Sequence, residues 1–116
     1  MDINSVLEKA PAAIASYTVS ENEAYAKMIT AGVEYKRLWA KAYLEMKAAG
    51  GKTIPELENE LIINPALMVV KDKEILAEID YRSWRQKKDN ARDFFNAAQE
   101  LGRTKRAEMK SLGDSV

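Results

Sequence analysis

At 116 residues the chain has room for one domain with one modest core. Its 18 basic and 18 acidic residues cancel, so no global electrostatic footprint marks a polyanion ligand. There is no cysteine and no histidine, which excludes disulfides, thiolate nucleophiles, sulfur-based zinc sites and the usual general base at neutral pH.

Hydrophobic residues make up 47% of the chain, but 17 of them are alanine, and Leu, Ile, Val and Phe together number only 25. Alanine adds little buried area and has the best helix propensity of any residue. The composition therefore describes long helices with thin apolar seams, which complete their burial against another helix or another subunit.

The opening stretch, MDINSVLEKAPAAIASY, has acidic residues where a secretory signal needs basic ones, and its apolar runs are too short to span a membrane. A cytoplasmic location is expected, that of a bacterial host if the chain is phage-encoded. Residues 1–19 read as an N-terminal arm or short helix, with Ser5 as its N-cap and an interruption near Pro11.

Ser20 and Glu23 match the S-x-x-E capping box and predict the start of a long helix that runs to Gly50-Gly51. Along it Tyr25, Met28, Gly32, Tyr35, Trp39, Ala42 and Met46 recur at alternating spacings of three and four, on one stripe. Tyr25, Met28, Gly32, Tyr35, Trp39 and Met46 are the candidate oligomer interface, with Gly32 permitting close approach of a partner backbone.

A short connecting helix follows, capped by Thr53, with Pro55 in its first turn and Asn64-Pro65 at its end. The run Ala66–Val70 fits either an extended segment or the beginning of the next helix. From about Lys71 a second long helix is predicted to the end of the chain, with Gly102 as a candidate break or kink. The resulting expectation is an all-α, elongated antiparallel helical hairpin with a short connecting helix, oligomeric, and with residues 20–116 forming a single domain.

No constellation points to catalysis, so the chain is expected not to be an enzyme. Glu56, Glu58 and Glu60 fit a solvated helix face. Glu-x-x-His pairs for a carboxylate-bridged metal site are absent, as are a phosphate-binding glycine loop and a nucleophile elbow. No metal and no cofactor is expected.

Charge is unevenly placed: between Arg82 and Lys110 there are 9 basic and 4 acidic residues. Arg82, Trp84, Arg85, Lys87, Lys88 and Arg92 form one cluster; Tyr81, Arg85, Lys88 and Arg92 share a face at helical spacing, and Trp84 lies beside them. Arg103, Lys105, Arg106 and Lys110 form a second cluster. Cations that track phosphates, set among aromatics on which bases stack, are what sequence-tolerant single-strand binding requires. The alternative is a solvated helix face with Trp84 turned into the core and Asp89 paired with Arg85 or Arg92.

From Lys71 onward the chain resembles the UvsY-type phage recombination mediators. That family carries a D-K-[DE]-[IV]-L opening, an aromatic residue one or two turns later and a long helix with a basic tip. The matching residues are DKEIL at Asp72–Leu76, Trp84 within YRSW, and the GRTKRAEM tail; the earlier helix with Trp39 and Tyr43 is similar in kind. The tail departs from the family in lacking apolar and aromatic residues after its glycine. The resemblance implies a ring-forming accessory factor that binds single-stranded DNA and helps to load a recombinase onto strands coated by a single-strand-binding protein, with no cofactor. The competing expectation is a non-catalytic structural or adaptor protein, such as a phage or bacterial assembly factor, acting through protein–protein contacts.

Overall fold

A computed structural model describes residues 2–114 of the chain. It contains three helices, α1 (Ile3–Ala49), α2 (Ile54–Ile62) and α3 (Pro65–Asp114), and no strand among the described residues. The chain is an all-α helical hairpin.

Each boundary follows from local chemistry. Asp2 caps α1, its carboxylate accepting from the Asn4 N–H at 3.3 Å and its carbonyl from the Val6 N–H at 3.1 Å. The helix ends at Gly50 and Gly51, whose φ angles of 75° and 81° lie in the left-handed region that glycine enters without a Cβ penalty. Thr53 caps α2 through the Glu56 N–H, and Pro55 occupies the first turn, where no N–H partner is needed. Asn64 then caps α3, its side-chain oxygen accepting from Ala66 N at 3.0 Å and Leu67 N at 3.3 Å. Pro65 fits the first helical position.

Three expectations are corrected. The helix is not interrupted near Pro11, nor does a new one open at Ser20: α1 is continuous through both from Ile3. Pro11 is exposed, and it leaves the Leu7 carbonyl without the N–H that any other residue at position 11 would donate. The Ser20–Glu23 capping box does not open a helix, because buried or half-buried residues on either side of it, Tyr17 and Ala24, hold the segment helical. Finally, α3 begins at Pro65 rather than near Lys71, so the run Ala66–Val70 is helical, and the helix passes through Gly102 without a break.

The chain divides into two compact units, Met1–Glu21 with Ser83–Val116, and Asn22–Arg82. In the second unit α1 and α3 pair antiparallel: Tyr25 meets Tyr81 with ring centroids 5.4 Å apart, Gly32 lies beside Glu74, and Lys71 sits 4.7 Å over the Tyr35 ring. Its buried apolar residues are Ala24, Leu57, Leu61, Leu67 and Val70. Leu57 and Leu61 are one turn apart on α2, so a single face of this nine-residue helix closes the core.

In the first unit the pairing is again antiparallel, with Tyr17 against Trp84 and Leu7 against Gly102. Val6 and Ala98 are its buried apolar residues. The inward positions of α3 here, Trp84, Lys88, Ala91, Phe95, Ala98 and Gly102, alternate at spacings of four and three. That is the seam of a coiled coil, and one of its layers carries a charge.

Candidate nucleic-acid interface

The basic residues of α3 divide according to what they touch. Lys88 lies in the seam and pairs with Glu21 of α1, the side chains being 14% and 10% exposed. The Lys88 ammonium is the charge partner of the buried Glu21 Oε2. Lys88 therefore does not share an outward face with Arg85 and Arg92. Lys87 sits 4.3 Å over the Trp84 ring, whose centroid is 6.2 Å from that of Tyr17. Trp84 is half-buried by these contacts rather than presented as a free stacking platform.

Arg82 belongs to the second unit, where it donates to Glu78 at 2.6 Å. Arg103 is 3.5 Å from Glu100. Arg85, Arg92, Lys105, Arg106 and Lys110 are exposed and make no ion pair among the described residues. Asp89 stands four residues after Arg85 and three before Arg92, yet it pairs with neither.

Arg85, Arg92, Gln99 and Arg106 recur at seven-residue intervals, each directly after a position of the seam or its continuation. A seven-residue interval advances about 10 Å along a helix and returns to nearly the same side. The three arginines are therefore spaced along one side of α3 in the first unit, the last of them reaching back toward the seam, with Arg106 Nη1 3.9 Å from the Cβ position of Gly102. Their carrier is helical because the segment has no proline and is anchored inward by Phe95 and Ala98.

Part of the stripe expected to form the oligomer interface meets α3 of the same chain: Tyr25 lies against Tyr81, Gly32 beside Glu74 and Tyr35 under Lys71. Met28, Gly32, Tyr35, Trp39 and Met46 are half-buried, whereas Tyr25 is 48% exposed and its neighbour Ala24 is buried. Gly32 does not serve close backbone approach: the nearest atoms to its Cβ position belong to the Glu74 side chain, at 3.7 Å and beyond. Trp39 and Tyr43 stack at 5.3 Å with their planes nearly parallel.

Sequence reasoning missed two features. The first is an outward apolar face on α3 of the second unit: Met68, Val69, Ile75, Leu76 and Ile79 are 43–65% exposed, and Asp72 lies among them. The spacing of three, four and seven between these residues held the signal, but it is equally the spacing of a buried face. The second is an open groove of about 630 Å³ in the first unit, between the start of α1 and α3. Val6, Ala13, Tyr17 and Phe94 supply much of its apolar lining, and Lys9 and Lys87 are its charged residues.

Among the described residues no cluster of carboxylates is arranged to hold a metal ion, and no helix is long and apolar enough to cross a membrane. No protein-family model, curated protein or solved structure matches this chain.

Proposed function

We propose that this chain is a non-catalytic, self-associating accessory protein that carries single-stranded DNA along the arginine flank of α3, in the manner of a recombination mediator. The observation that carries this is the row Arg85, Arg92 and Arg106, exposed and without ion pairs among the described residues although Asp89 is within reach of two of them. A cation already neutralised by a neighbouring carboxylate gains little from a phosphate; an unpaired guanidinium releases counterions from the strand and gains their entropy. Phosphate contacts dominate, because Trp84 is engaged with Tyr17 and Lys87. Three arginines per chain give a weak site, and self-association multiplies it through avidity.

The outward apolar face of α3 favours a second reading, that of a helical adaptor whose work is done entirely by protein–protein contact. Contiguous exposed aliphatic residues of this kind mark interaction surfaces.

Fluorescence anisotropy of a labelled poly-dT strand separates the two. Salt-sensitive binding that prefers the single strand to a duplex is expected. A folded, self-associated sample that leaves the strand free at low salt would remove the DNA reading and leave the adaptor.

A further inference from the structure

The two features that sequence reasoning missed are complementary. On the second unit α3 presents Met68, Val69, Ile75, Leu76 and Ile79 outward around a carboxylate, Asp72, which has no ion-pair partner among the described residues. On the first unit the open groove has an apolar floor, two lysines, Lys9 and Lys87, and no acidic residue in its lining. The dimensions agree. Residues 68–79 of α3 extend about 17 Å and the groove follows α1 from Ser5 to Tyr17, about 18 Å.

We infer that the outward face of α3 in one copy docks into the Lys9–Lys87 groove of a second copy, a contact that presupposes the self-association proposed above. An apolar helix face laid into an apolar groove is a recurrent recognition mode, with aliphatic anchors supplying affinity and the charge fixing the register. Alanine at positions 10, 13 and 91 of the groove leaves space for the larger side chains of the incoming helix. The surfaces that meet are different patches of the same chain. The contact is therefore heterologous, and repetition generates a closed ring or an open filament rather than a two-fold dimer.

Reciprocal charge exchange followed by sedimentation velocity tests this contact. One variant carries Lys9→Glu and Lys87→Glu, so that its groove and its α3 face are both acidic. The other carries Asp72→Lys, so that both are basic. All three positions are exposed, and circular dichroism checks that each variant keeps its helix content. Each variant alone is expected to associate at least tenfold more weakly than the native chain. An equimolar mixture is expected to recover native association, because every groove then faces a stripe of opposite charge. Association abolished in Asp72→Lys but unaffected by the groove changes, and not recovered on mixing, would mean that the α3 faces pack on each other and would overturn the groove contact while leaving self-association intact. Association unaffected by either change would also overturn it. A native chain that sediments as a monomer at all concentrations would overturn both the contact and the self-association on which it depends.

Discussion

Glu21 of α1 and Lys88 of α3 meet as an ion pair inside the seam, while the other salt bridges among the described residues join more exposed side chains. Removing one partner strands the other charge where water reaches it poorly. Lys88→Ala is expected to destabilise the chain by about 2–3 kcal/mol. Replacing both partners, as in Glu21→Leu with Lys88→Met, is expected to restore stability to within about 1 kcal/mol of the native value, because the desolvation cost of the pair disappears with its attraction. Urea unfolding of the single and double variants measures both. A Lys88→Ala chain as stable as the native one would show that the pair contributes nothing.

The arginine flank makes a separate prediction about salt. For a single strand, each phosphate neutralised by the protein adds about 0.7 to the steepness of log affinity against log salt. Changing Arg85, Arg92 and Arg106 together to glutamine should therefore flatten the slope by about 2. Lys88→Gln should leave the slope unchanged and appear in stability instead, since its charge is spent on Glu21. Anisotropy titrations at four salt concentrations distinguish these outcomes.

Glycine positions respond in opposite directions. Gly32 lies within α1, and a Cβ there meets only the Glu74 side chain at ordinary contact distance. Gly32→Ala should therefore stabilise the chain by about 0.5–1 kcal/mol through helix propensity and unfolded-chain entropy. Gly50 meets nothing within 4 Å, but its φ of 75° penalises any side chain. Gly50→Ala should cost about 1 kcal/mol. Thermal melts of the two variants should move apart, and a destabilised Gly32→Ala would show that close packing does operate there.

Asn64 closes the gap between α2 and α3 with two hydrogen bonds to the first turn of α3. Asn64→Ala should cost about 1 kcal/mol, and Asn64→Asp should retain most of it. Thr53→Ala should cost less, because its bond to the Glu56 N–H is 3.4 Å long. Urea midpoints of the three variants rank the caps.

Local signals in the sequence determined the helical class, the stop at Gly50-Gly51, the Thr53 cap with Pro55, and the break at Asn64-Pro65. Each of these depends on backbone chemistry confined to a few neighbouring residues: a left-handed φ, a side-chain oxygen within one turn, a missing N–H. Continuity of α1 through Ser20 was not legible, because a capping box records what a segment favours in isolation. Packing of Tyr17 and Ala24 on both sides overrode it. Direction was equally hidden. Arg85, Lys88 and Arg92 look alike at helical spacing, and only the partner helix decided that Lys88 turns inward to Glu21 while the arginines stay outside. The same holds for Ile75, Leu76 and Ile79, whose period suits a core as well as a surface. Periodicity gives the angle between side chains on one helix; which side faces the neighbour is set by the energy of the pairing, and that belongs to two helices at once.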